Sequence, residues 1–117
     1  MISFKQITFI ILFTWFFGIL GGCALSSRVP EPVQEHVEYA DSHWPGTTLD
    51  SLKQYRRLYI MHCSSCHFLV SVKKFPSDEW PHWVEKMSNR AHLTSSESEK
   101  ILRYLITADN VKIIPKP

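Results

Sequence analysis

Residues 63 to 67 read Cys63-Ser64-Ser65-Cys66-His67, a C-x-x-C-H spacing that can do one uncommon piece of chemistry. Two thiols three positions apart lie about one helical turn from each other, so both can form thioethers with the vinyl groups of a single porphyrin. His67 follows directly and is then held beneath the ring, where a neutral imidazole can ligate the iron from the proximal side. The pentad reads as a site of covalent haem attachment, with Cys63 and Cys66 as anchors and His67 as the first axial ligand.

Other uses of a C-x-x-C pair fit less well. A structural zinc site takes four ligands, commonly as two spaced pairs, and the only other cysteine is Cys23, in a different segment. His62 would complete a local His-Cys-Cys-His set, but ligands so crowded make poor tetrahedral geometry. A thioredoxin-like dithiol ends a strand inside a βαβ pattern, and no alternation of strands and helices is legible here. A thiol redox pair is the main alternative to haem, with a structural disulfide behind it.

The N-terminus indicates the compartment. Lys5 is followed by an apolar stretch from Ile7 to Leu20 and then by Leu20-Gly21-Gly22-Cys23. That stretch is shorter than the roughly 20 residues a bilayer span needs, and small residues before a cysteine resemble the bacterial lipoprotein box. Residues 1–22 are accordingly expected to be a signal peptide, and Cys23 a lipidated mature N-terminus in the membrane. Ala24 after the cysteine favours the outer membrane, with the soluble part facing the periplasm. An uncleaved, tilted anchor from Ile7 to about Leu25 is the alternative. One cysteine for lipid and two for haem leave no free thiol and no disulfide among the three.

The 13 Lys and Arg, one of them Lys5 in the leader, nearly balance 11 Asp and Glu, so overall charge makes no case for a nucleic-acid partner. A folded region of about 70 residues is near the lower limit for an unaided core, and a bound haem would be part of that core.

From residue 23 to 48 the chain is rich in Pro, Ser and charge (Pro30, Pro32, Pro45, Glu31, Glu35, Glu38) and lacks sustained apolar periodicity. It reads as a flexible tether with a root-mean-square span of about 25–30 Å and an extended reach of about 80 Å. His36 and His43 within it read as solvated, and the Trp44-Pro45-Gly46 turn is expected to pack against the domain that follows.

That domain spans 49–117, and three helices must position the pentad. The first is capped by Thr48 and carries Leu49, Leu52, Tyr55, Tyr59 and Ile60 into Cys63. Phe68 to Val72 reads as a loop wrapping the haem edge. The second helix is expected to start at Ser77, with Asp78 and Glu79 in its first turn, and to end between Asn89 and Ala91. Its apolar stripe is Trp80, Trp83, Val84 and Met87 at i, i+3, i+4 and i+7, and Pro81 in the first turn costs little. The third opens on the capping box Thr94-Ser95-Ser96-Glu97, presents Ile101, Leu102, Tyr104 and Leu105, and stops at Asp109-Asn110.

The sixth position of a haem iron separates electron transfer from sensing or catalysis. Met61 lies on the proximal helix and cannot readily cross the porphyrin plane. Met87 shares the stripe of Trp80 and Trp83, so a helix packing its aromatics on haem would aim the thioether inward, although helix-face methionines often only fill a core. His82, about 140° around the helix from Met87, and His92, beyond its end, are the alternatives. Arg56, Arg57, Lys73 and Lys74 could set positive charge at the haem rim, but an ordinary solvated face is slightly preferred.

At this point the chain resembles small monohaem c-type cytochromes, and more closely a group of short bacterial lipoprotein cytochromes, over about residues 44 to 106. The matching text is Trp44-Pro45-Gly46-Thr47-Thr48-Leu49, Arg57-Leu58-Tyr59, the pentad, Glu79-Trp80-Pro81 through Met87, Ala91-His92-Leu93-Thr94, and Ile101-Leu102-Arg103-Tyr104-Leu105. The resemblance implies an all-α, cytochrome c-like three-helix domain around one haem c, in which the first and last helices cross, His67 is proximal and Met87 distal. It implies single-electron exchange with a protein donor and acceptor and no catalysis by the chain itself. A haem-based sensor with a displaceable distal ligand is the second reading, and a haem-free thiol oxidoreductase the third. Two departures stand out. Tyr55, Arg56 and Arg57 occupy the region where many such proteins have a glycine at the helix crossing, and Pro76 lies at an unusual spacing for the proline that supports the haem histidine.

Overall fold

The computed structural model describes residues 28–113, and over that range the chain is all α-helical, with no strand. The expected signal peptide, Cys23 and Ala24 lie outside the described residues, as does the alternative anchor from Ile7 to about Leu25. Among the described residues no helix is long and apolar enough to cross a membrane.

Four helices follow one another: α1 Gln34–His43, α2 Leu49–Cys63, α3 Trp80–Ala91 and α4 Ser95–Asn110. Helix α4 packs against each of the other three. Its buried face, Ile101, Tyr104, Leu105 and Ala108, meets Tyr59 of α2 and Trp80 and Val84 of α3 in one core. Where α2 meets α4, the rings of Tyr59 and Tyr104 lie 6.1 Å apart, an aromatic contact in place of the glycine that permits a closer crossing.

The helix ends follow local chemistry. The Thr48 hydroxyl accepts from the Ser51 amide and the Ser51 hydroxyl accepts from the Thr48 amide, at 3.2 and 3.0 Å, so a serine completes the capping box of α2. Thr94 and Glu97 form the equivalent box on α4, and the bond from the Thr94 backbone amide holds the Glu97 carboxyl below its ordinary range. Helix α3 starts at Trp80 with Glu79 as its N-cap, two residues beyond the Ser77 cap expected from sequence, and has Pro81 at its second position. The Ser77 hydroxyl is engaged elsewhere: it donates to the Asp109 carboxylate at 2.6 Å and accepts from the Asn110 side-chain Nδ2 at 2.7 Å, clamping the end of α4.

Helix α3 stops because His92 turns left-handed, at φ 53° and ψ 40°, while the Leu93 amide donates back to the Ser88 carbonyl at 3.0 Å. Glycine occupies that region without the Cβ penalty, and the His92 ring is exposed. His92→Gly is therefore expected to raise stability by about 0.5–1 kcal/mol in urea denaturation. A loss of stability instead would show that the imidazole makes a stabilising contact.

The expected flexible tether is corrected over residues 28–48. Val29, His36 and Ala40 are fully buried, and α1 packs on α2 and α4. Residues 28–33 form a strap. The Val72 amide donates to the Arg28 carbonyl at 2.9 Å, Arg56 donates two hydrogen bonds to the Val29 carbonyl at 3.2 Å, and the Tyr104 hydroxyl donates to the Pro30 carbonyl at 2.8 Å. Arg56 also pairs with Glu31 at 2.9 Å, so it serves the strap and is not a free rim cation. His36 is not solvated as expected. Its Nδ1 accepts from the Val33 amide at 3.1 Å, closing the start of α1, and burial lowers its pKa. His43 stays exposed, stacked on Tyr39 at 4.3 Å, and the half-buried Trp44 lies under Arg103 at 5.5 Å.

Candidate functional site

Helix α2 delivers Cys63 in its last turn, half-buried against the core. The next two serines end the helix: the Ser64 hydroxyl bonds the Ile60 carbonyl at 2.6 Å and the Ser65 hydroxyl bonds the His62 carbonyl at 2.8 Å. The Ser64 hydroxyl thus adds a second donor to a carbonyl that already accepts from the Ser64 amide, and the chain leaves the helix with Cys66 and His67 exposed. The residues between the cysteines therefore have a structural task of their own.

Beside the pentad lies a cavity of about 260 Å³. Cys63, Cys66 and His67 line it from the α2 side, and Met87 lines it from α3. These four residues, spread over 25 positions of sequence, meet at one space because α2 and α3 both pack on α4, whose Ile101 and Leu105 also line it. His82 and His92, the alternatives to Met87, are not on the lining; both are exposed, and the His82 ring stands edge-on to Trp83 at 5.4 Å.

Trp80 and Trp83 line the cavity as the α3 stripe suggested, joined by Phe75 from the preceding loop. Phe75 stacks on Trp83 at 4.6 Å and meets Trp80 edge-on at 5.2 Å, making one aromatic wall. Phe75 belongs to no helical stripe, so periodicity could not point to it. The 68–72 loop divides: Val70 lines the cavity, Val72 enters the core, and Phe68 is 95% exposed. The Tyr59 hydroxyl donates to the Val70 carbonyl at 2.5 Å and pins this loop over the site.

The polar groups are few. The His67 Nδ1 lies 2.8 Å from the Phe68 carbonyl, an oxygen that can only accept, so Nδ1 carries the proton and Nε2 of the neutral ring keeps its lone pair. The support expected from a loop proline thus comes from the adjacent backbone. Burial pushes the Cys63 thiol up to about 11, which keeps it protonated and is the reverse of what an activated redox cysteine needs. Arg90 and His62 are the cationic or protonatable groups on the lining besides His67, and His62 Nε2 lies 3.8 Å from Glu97. Lys73 is turned away, bonded to Asp109 at the far end of α4.

Among the described residues no group of three or more His, Cys, Asp or Glu side chains gathers closely enough to hold a metal ion. The site instead offers two thiols, two imidazoles and one thioether around an apolar hollow. Comparison with protein-family models, with curated proteins and with solved structures gave no match.

Proposed function

We propose that the chain is a membrane-tethered monohaem c-type cytochrome that passes single electrons between protein partners in the periplasm, with no substrate chemistry of its own. The observation that supports it most is the meeting of Cys63, Cys66, His67 and Met87 on one cavity with aromatic and aliphatic walls. The donor set fits a haem: thiols for two thioethers, a ring nitrogen with a free lone pair, and a sulfur from a separate helix for the sixth position. The cavity lies just below the ~300 Å³ at which pockets for drug-sized ligands begin, so a haem, larger than such ligands, would be only partly enclosed by it.

Each residue then has a task. Cys63 and Cys66 fix the group in place, and the Phe68 carbonyl orients His67. Trp80, Trp83 and Phe75 exclude water from one side, while Arg90 and His62 are the groups available to the haem carboxylates. A bound haem supplies a one-electron couple, and a sulfur in the sixth position raises its potential and closes the iron to small molecules. The lipid on Cys23 holds the domain to the envelope, at the outer membrane if Ala24 is read as a release signal.

The test is expression with a c-type maturation system followed by a pyridine haemochrome spectrum of the denatured protein. Covalent haem is the expected result, and its absence sinks the reading. The oxidised wild type is expected to show the weak far-red sulfur-to-iron band, and Met87→Ala to lose it and to bind carbon monoxide rapidly once reduced. Rapid carbon monoxide binding by the reduced wild type would instead support a haem-based sensor.

A further inference from the structure

The strap changes what the membrane anchor can do. Cys23 precedes Arg28 by five positions, so a lipid on Cys23 can lie no further than about 18 Å from the Arg28 backbone. From Arg28 onward the chain is bonded to the 72 loop, α2 and α4. The leash therefore ends at one particular end of the domain.

That end is basic. Arg28, Lys73, Lys74 and Lys112 are exposed there: Lys73 follows Val72, whose amide meets the Arg28 carbonyl, and its ammonium lies 3.3 Å from Asp109 near the end of α4. Asp109 is neutralised by Lys73, while Arg28, Lys74 and Lys112 carry no ion pair among the described residues. The exposed part of the cavity lining, with Cys66 and His67, lies toward the opposite end of α4, where His62 faces Glu97. Between Glu97 and Asp109 the helix rises about 18 Å.

We propose that the end carrying Arg28, Lys73, Lys74 and Lys112 rests on the anionic headgroups of the bilayer that holds Cys23. The cavity mouth then faces the aqueous phase, and its partner is a protein arriving through water, not a carrier diffusing within the lipid. This inference rests on the lipid-anchor reading. Cations close to an anionic leaflet are attracted to it within a Debye length, and the short leash keeps this end inside that range.

The experiment uses the mature full-length protein on vesicles of phosphatidylcholine containing about a third phosphatidylglycerol. Amine acetylation rates are read at Lys73, Lys74 and Lys112, and at Lys86 and Lys100 as internal controls. The reference is the same protein with about twenty glycine and serine residues inserted between Ser27 and Arg28, on phosphatidylcholine alone. Lys73, Lys74 and Lys112 are expected to react at least about threefold more slowly than in the reference, with Lys86 and Lys100 unchanged. A protein that floats with the vesicles and shows five unchanged rates, or slowing at Lys86 and Lys100 instead, overturns the orientation alone. A protein that does not float and carries no acyl group on Cys23 overturns the anchor and the orientation with it.

Discussion

Replacing both Cys63 and Cys66 by serine is expected to abolish covalent haem entirely, while Ser64→Ala with Ser65→Ala retains it and loses only helix-end stability. The difference follows from chemistry. Each thioether forms when a thiol adds across a vinyl group, sulfur bonding to one carbon while the other takes a proton. Serine oxygen does not make that addition. The half-buried Cys63, with its thiol raised to about 11, is held as S–H, the form that would add across a vinyl group in the proposed attachment. Single variants add resolution: Cys63→Ser and Cys66→Ser should each keep one thioether and show a red-shifted haemochrome band from the remaining vinyl. Absorbance of the denatured protein after organic extraction checks all four. A wild type that cycles reversibly between dithiol and disulfide without haem would falsify the scheme and return the pentad to thiol chemistry.

Trp80→Ala is expected to be the most damaging single core substitution. Trp80 is 4% exposed, meets Phe75 edge-on and donates its indole N–H to the Val72 carbonyl at 3.3 Å. Truncating a buried tryptophan costs about 3–5 kcal/mol through lost burial and the cavity left behind. That is a large part of the roughly 5–15 kcal/mol that holds a small domain folded. At about 4–8 °C per kcal/mol for a domain of this size, the melting temperature should fall by more than about 12 °C. Trp80→Phe separates the contributions, because it keeps much of the wall and leaves only the Val72 carbonyl unpaired, at about 1 kcal/mol. Far-ultraviolet circular dichroism on heating measures both. If Trp80→Ala melts within a few degrees of wild type, the wall is not part of the core.

The parts of this fold that sequence reveals are those set by neighbours in the chain. Thr48 and Thr94 start helices because their hydroxyls meet amides three residues on, and such contacts need no tertiary context. The stripe from Trp80 to Met87 is legible because helical spacing alone puts those side chains on one face. Helix α1 is different. Its fully buried residues are His36 and Ala40, a histidine and a methyl group, so it lacks an apolar stripe, and two prolines and three glutamates nearby mimic a linker. It is held instead by Arg56 and Tyr104, 27 and 74 positions from the strap residues they bind. Ser77 shows the same limit, since a plausible cap is diverted by Asp109 from the other end of the domain. At the cavity the pentad and Met87 are legible, and Arg90 shares the Met87 face by helical spacing but is hidden from an apolar pattern by its charge, whereas Phe75 and Leu93 reach the lining through packing that no local pattern encodes.

The strap also decides how the molecule bears force. A pull transmitted along the chain to Arg28 does not load the end of a helix; it loads the Val72 amide, the Arg56 fork and the Tyr104 hydroxyl in turn. These are isolated hydrogen bonds without the continuous ladder of a helix, so the strap would peel before any helix unwinds. Peeling residues 28–33 would release about 20 Å of chain. The segment would thus yield slack under tension before the helices around the cavity come apart.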